Sequence, residues 1–212
     1  MKKKWIIIVS IVALILIGGV LTGPIMSNVE KPDYEVIHST ENIEIRRYAP
    51  MIIAEVAVEG KRKEAIRNGF RQLADYIFGN NTAQKDIAMT APVQQQKNQR
   101  IAMTAPVQQQ SSDNVWNVSF VMPSEYRMAS LPKPNNDRVH LKEVPSKTFA
   151  VIRFSGTNAD KNIAKHEAQL RDYIESQQIT GIGSPKYAFY NPPWTLPFMR
   201  RNEVMIEVYE QE

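Results

Sequence analysis

The sequence predicts an α+β fold in which one strand-and-helix unit is used twice. Its strands form one curved, largely antiparallel sheet or open barrel, with two helices packed against it, behind an N-terminal apolar helix. Three observations carry this. No charged residue occurs from Trp5 to Val29 in the opening MKKKWIIIVSIVALILIGGVLTGPIMSNVE. From Pro32 onward, strand-like alternation and helical spacing take turns. And IEIRRYAPMIIAEVAVEG (43–60) lies without a gap over VHLKEVPSKTFAVIRFSG (139–156).

The apolar run is long enough to cross a hydrocarbon core of roughly 30 Å as a helix. Lys2, Lys3 and Lys4 before it favour an N-terminus inside the cytoplasmic membrane and an exported body. The expectation is therefore a basic start (1–4), a retained signal anchor (5–27), a linker (28–33) and one folded domain (34–210). A cleaved signal peptide, leaving a secreted or periplasmic body, is the alternative. Its apolar region would be about 7 to 15 residues closed by small side chains; this run is longer and no AxA pattern closes it.

Within the domain, IEIRRY (43–48) and MIIAEVAVEG (51–60) read as two strands joined by a turn at Ala49 and Pro50. The following segment places Ile66, Phe70, Leu73 and Ile77 at helical intervals, and Gly79 with its asparagines stops the helix. The second half repeats the plan. Ile43 overlays Val139, Ala54 overlays Ala150 and Gly60 overlays Gly156, while QLADYI (72–77) matches QLRDYI (169–174). A Pro-containing loop follows each helix, MTAPV or YNPPW, and then a strand, VWNVSFVMP (115–123) or NEVMIEVYE (202–210). Two copies are too few for a solenoid. The halves, about 34–123 and 137–210, are expected to form one pseudosymmetric domain with a ligand cleft between them.

Composition narrows the function. The chain of 212 residues has no cysteine, so disulfides, thiolate metal sites, a cysteine nucleophile and a lipid-modified cysteine are all excluded. The net charge of +4 falls to +1 once the three leader lysines are set aside. That balance argues against a nucleic-acid partner, which needs a clustered basic face. No GxSxG, HExxH, Walker loop or metal-spaced His/Asp cluster is present, so a non-enzymatic binder is expected.

The order YEVI, IEIRRYAP, helix, IAMTAPV, VSFVMPSEY, second helix and YNPPWTLPFMRRNEVMIEV resembles the SOUL/haem-binding protein family over about Asp33 to Glu210. MTAPV and RRNEV are its most specific pieces. The resemblance implies a distorted antiparallel barrel of two pseudosymmetric halves with two helices, akin to the effector-binding domains of some bacterial regulators. It also implies binding of haem or a related tetrapyrrole in an apolar groove, for transport, storage or sensing. A small-molecule effector-binding or hydrolase-like domain of the same fold is the alternative.

Haem iron takes axial His, Met, Cys or Tyr. His140 alternates with Val139 and Leu141 and should face away from their core side, which leaves His38 and His166 as candidates. His166 sits on or beside the buried stripe of the second helix, where a hydrogen-bonded histidine at the core edge is favoured over a ligand. Some family members carry a histidine within the motif that here reads IEIRRYAP, and this chain has Arg47 there. Binding by apolar contact and propionate pairing follows from the resemblance, with Arg46, Arg47, Arg200 and Arg201 able to grip carboxylates in two-pronged hydrogen bonds. Tyr190, Trp194 and Phe198 offer flat side chains for stacking on a macrocycle. Asn202 and Glu203 read as structural, bonding backbone at the turn into the last strand.

IAMTAPVQQQ occurs twice, with KNQR between the copies. In each, alternation predicts a short half-buried strand, and the proline places it at a sheet edge or strand end. The offset from Ile87 to Ile101 is fourteen residues, an even number, so either copy could fill one groove with the same face inward. The repeat is either a neutral loop duplication or a flap whose Met89 and Met103 close over a ligand. These two methionines also raise a thioether Cu(I) site as a further alternative.

Overall fold

The structure, a computed structural model, describes residues 29–83, 99–112 and 115–209. The leader 5–27 and the first IAMTAPV copy with Met89 lie outside these residues. No described helix is long and apolar enough to cross a membrane.

The strands are β1 (Tyr34–Thr40), β2 (Ile43–Tyr48), β3 (Met51–Glu59), β4 (Asn81–Thr82), β5 (Val107–Ser112), β6 (Val115–Val121), β7 (Lys133–Pro134), β8 (Val139–Val144), β9 (Lys147–Phe154), β10 (Gly181–Phe189) and β11 (Asn202–Val208). Helix α1 (Arg62–Ile77) follows β3, helix α2 (Asp160–Ser176) follows β9, and a 3-10 turn (Pro197–Met199) precedes β11. Nine strands form one antiparallel sheet in the order β1-β2-β9-β11-β10-β5-β6-β3-β8, while β4 and β7 pair separately.

This order reads the same from both sides of the β10/β5 seam once equivalent strands are matched. β10, β11, β9 and β2 on one side answer β5, β6, β3 and β8 on the other. The duplicated segments behave alike: Ala54 and Ala150 are both fully buried. Gly60 and Gly156 both adopt positive φ, +104° and +101°, in the bend that leads each strand into its helix. Yet each half gives its first strand away. β2 pairs with β9 and β8 pairs with β3, so Ile45 lies in the core under α2 and Val139 in the core under α1.

That exchange bends the sheet. β2 and β3 stand six strand spacings apart in the order, roughly 29 Å if flat, but only Ala49 and Pro50 connect them, a reach of at most about 11 Å. Pro145 and Ser146 impose the same demand on β8 and β9. The helices cover the outer face, and Tyr48, Phe149, Val151, Ala188, Tyr190 and Met205 pack on the inner one.

The expected barrel is corrected to an open sheet: among the described residues β1 and β8 are its ends and do not pair. Both edges are built to resist closure. β1 is exposed throughout, with a register shift between Val36 and His38, and β8 presents exposed His140, Lys142 and Glu143.

Two local expectations are also corrected. The buried stripe of α1 is Ala65, Gly69, Leu73, Tyr76 and Ile77, whereas Ile66 is half-buried and Phe70 exposed. Gly69 explains the rotation, because a Cβ there would stand 2.6 Å from Val118. The helix approaches β6 along its small residues, and Phe70 instead packs edge-on against Phe120, 5.4 Å between centroids. The second IAMTAPV copy does not alternate as a strand. Ile101, Thr104 and Ala105 are buried and Met103 is exposed. The strand begins only at Val107, after Pro106, which has no N–H to donate.

Candidate functional site

Strand β2 carries Arg46 to the inner face, where it meets Glu203 of β11. Arg46 Nη1 donates to Glu203 Oε1 at 3.1 Å and to the Tyr48 hydroxyl at 3.2 Å, and its Nε donates to Glu44. Arg201 donates to the same Glu203 oxygen at 2.9 and 2.7 Å, and the Tyr190 hydroxyl donates to Oε2 at 2.7 Å. The Glu203 side chain has no exposed surface and that of Arg46 has 2%. Burial alone would push the Arg46 guanidinium down; Glu203, Tyr48 and Glu44 more than offset it and hold it firmly charged. The structure thus brings together three residues anticipated for ligand contact, Arg46, Arg201 and Tyr190, around a carboxylate that sequence reasoning set aside as a turn residue.

Burial also raises the phenols of Tyr48 and Tyr190, with the Glu203 charge adding to it. Burial raises Tyr76, helped by Tyr126, and raises Tyr187, helped by its hydrogen bond to Glu167. Each phenol keeps its proton in the folded state beyond the ordinary tyrosine value of about 10. Their stabilising contribution is whole below that value and is lost as pH rises through the higher folded values. Thermal midpoints are expected to fall from about pH 10 upward, with these four of the eight tyrosines ionising only on unfolding. Tyrosinate absorbance that reaches the full count of eight in the folded chain near that pH would contradict this.

The second arrangement is the loop from Tyr190 to Arg201. It is folded on itself by Arg200, whose Nε and Nη2 donate to the carbonyls of Thr195 and Pro193 at 2.7 and 2.6 Å. This turns Trp194, Leu196 and Phe198 outward, with Trp194 57% and Phe198 73% exposed. Gly156 N–H donates to the Pro197 carbonyl and ties the loop to the β9–α2 connection. There Arg62, the first residue of α1, donates to Asn158 O at 2.6 Å and Asp160 Oδ1 at 2.7 Å, and stands 6.0 Å from the Phe189 ring centroid. Arg62 is only 9% exposed, and its Nη1 is buried with no acceptor among the described residues. Gln109, fully buried, donates to the Arg62 carbonyl, but among the described residues its own Oε1 lacks a donor, as Thr195 Oγ1 lacks a partner. Unpaired groups of this kind cost about 1–3 kcal/mol each.

A cavity of about 830 Å³ opens where the sheet fails to close. Its wall includes Met51, Met122, Met128, Val144 and Tyr126, and it also carries Glu30, Asp33 and Glu143 against Lys31 and Arg127. No histidine lines it.

The remaining candidates lie apart. Arg47 is half-exposed and pairs with Glu35 at 3.1 Å. Met103 is exposed, flanked by the buried Ile101 and by Thr104 on the cavity wall. His38 is exposed beside the Thr40 hydroxyl. His166 stacks on Phe154, 4.0 Å between centroids, and its Nδ1 is 2.7 Å from Asn162 O, an arrangement that secures the helix to the core. Among the described residues no group of three or more His, Asp or Glu could hold a metal ion.

Comparison with known proteins agrees on the fold and the lineage. The C-terminal domain of EcmrR superposes with a TM-score of 0.58 at 10% identity, over 84% of this chain and 99% of that one. A hydrolase from Listeria innocua gives 0.54 at 11%, over 82% and 94%. In sequence, Heme-binding protein 1 of Xenopus tropicalis is 26% identical across 88% of this chain and 96% of its own length. Heme-binding protein 2 of Homo sapiens is 31% identical across 77% and 76%. The model of the SOUL heme-binding protein family matches residues 29–207, nearly the whole folded domain, and the chain accordingly belongs to that family.

Proposed function

We propose that the protein binds haem or a related tetrapyrrole without catalysis, on the face built by the Tyr190–Arg201 loop and the start of α1. The observation that carries this is the loop that turns Trp194 and Phe198 outward and is tied to the β9–α2 connection, where Arg62 is held with one buried nitrogen that has no acceptor among the described residues. Large exposed apolar side chains on one loop mark a surface meant to be covered. Aromatic planes suit a macrocycle, and a guanidinium N–H suits a propionate. Arg200 supports the same end, since it donates to carbonyl oxygens and, among the described residues, no carboxylate neutralises its charge. When bound, haem would supply its own redox or ligand chemistry; this chain would supply stacking, charge and exclusion of water.

The cavity is the second reading, favoured by its volume, which lies in the range of small-molecule pockets. Tyr126 and the thioethers of Met51 and Met128 are of axial type. Three carboxylates against two cations make it the poorer host for a ligand with two propionates. The apolar leader would hold the domain at the outer face of the cytoplasmic membrane, where transport, storage or sensing of the ligand are the roles open to it.

Titrating the full chain in detergent with haemin is expected to give a saturable Soret shift. Replacing Trp194 and Phe198 together by alanine should weaken binding roughly tenfold or more, the usual weight of aromatic anchors. Arg62→Met should weaken it less. Val144→Trp, which narrows the cavity, should leave it unchanged; the reverse pattern would move the site to the cavity, and no saturable shift would end the haem proposal.

A further inference from the structure

Lys186 of β10 lies on the inner face, between Gln110 of β5 and Met205 of β11. It follows a register shift that starts after Ile182, with Gly183 at φ +66°. Its Nζ stands 5.1 Å from the Phe149 ring centroid. The other lysines of this face have carboxylate partners: Lys147 binds both oxygens of Glu207 at 2.7 and 2.8 Å, and Lys142 binds Glu55. Lys186 makes no hydrogen bond or ion pair among the described residues. It is half-buried, so a small molecule can reach it.

Burial, and then the neighbouring Lys147 charge, lower its affinity for a proton; Glu207 and Glu55 offset this only in part. A desolvated lysine beside another cation is the arrangement that makes an amine nucleophilic. Phe149, Val151 and Met205 give it an apolar floor.

We propose that Lys186 is a covalent site for small apolar or aromatic aldehydes, held as an imine on the inner face of the sheet. The neutral Nζ attacks the carbonyl carbon, a carbinolamine forms, and its oxygen leaves as water as the C=N bond closes. Solvent water at this half-exposed position passes the protons, while Glu207 and Glu55 act on Lys186 through their charge. No oxidant or reductant is needed, and water reverses the step. The site is separate from the haem face, so either can fail without the other.

The test is reductive trapping. The full chain in detergent is incubated with benzaldehyde and cyanoborohydride at neutral pH, and labelled lysines are mapped by peptide mass. Lys186 is expected to label roughly tenfold or more faster than every other lysine. Its advantage should shrink at alkaline pH, where the others lose their protons. Lys186→Arg should remove the fast phase. Lys147→Met should slow it, because it removes the repelling charge and frees Glu207 to pair with Lys186. Labelling spread evenly over the lysines, or a fast phase that survives Lys186→Arg, would overturn the proposal.

Discussion

Replacing Glu203 by alanine is expected to destabilise the fold by roughly 3–5 kcal/mol, the usual cost of leaving a buried charge without its partner. For a chain of this size that is a fall of roughly 6–20 °C in the thermal midpoint. The loss is large because one carboxylate serves Arg46, Arg201 and Tyr190 at once. Without it, Arg46 keeps Glu44, the Tyr48 hydroxyl and the face of the Tyr34 ring among the described residues. The expected signature is non-additive. Removing both arginines together with Glu203, each as methionine, should recover much of the loss, since apolar packing can substitute for a whole ion cluster but not for half of one. A Glu203→Ala midpoint within a degree or two of the parent chain would mean that water reaches these groups.

Leu73→Ala and Leu170→Ala are each expected to cost about 2–5 kcal/mol, the range for deleting a buried leucine. The two occupy equivalent places in the duplicated QLxDYI segment and both are fully buried. They belong to different cores, Leu73 with Val56 and Val118 under α1, Leu170 with Ile152 and Val204 under α2. Distant sites without shared neighbours add to within about 0.5 kcal/mol. The double variant should therefore lose roughly 4–10 kcal/mol, close to the whole stability of an ordinary domain. Denaturant titration of the singles and the double decides it; a double no worse than either single would mean the two cores are not separate.

The sequence made the repeat legible because strand and helix periodicities survive duplication. Ala54 and Ala150, Gly60 and Gly156, and Leu73 and Leu170 are matched by burial or backbone angle as well as by position. It concealed β5 and β10, which form the seam. VQQQSS has no apolar alternation, and it is a central strand because backbone pairs on both sides hold it. GIGSPKYAF is broken by glycine and proline, yet it pairs with β5 and β11 around its register shift. MTAPV and YNPPW are therefore not equivalent loops, since one precedes β5 and the other follows β10. Pattern reading weighs side chains, and here the backbone decided.

The candidate site was partly legible for a similar reason. Trp194 and Phe198 could be picked from the loop YNPPWTLPF. Arg62 could not, because it looks like any helix-start cation until the other half delivers Asn158 and Asp160 beside it. Glu203 was hidden for the same cause: its partner Arg46 is 157 residues away in sequence.

The exchanged strands also set a rule for how the chain can assemble. The sheet of the first half lacks an edge until β8 is made, and β2 has no inner neighbour until β9 arrives. Neither half can finish alone, so completing the fold must join residues about a hundred positions apart, and that loop closure costs entropy before the non-local pairs reward it. A nascent chain that has not reached residue 154 holds two half-sheets with open edges. Completion is then a single late event for the whole domain rather than two successive ones.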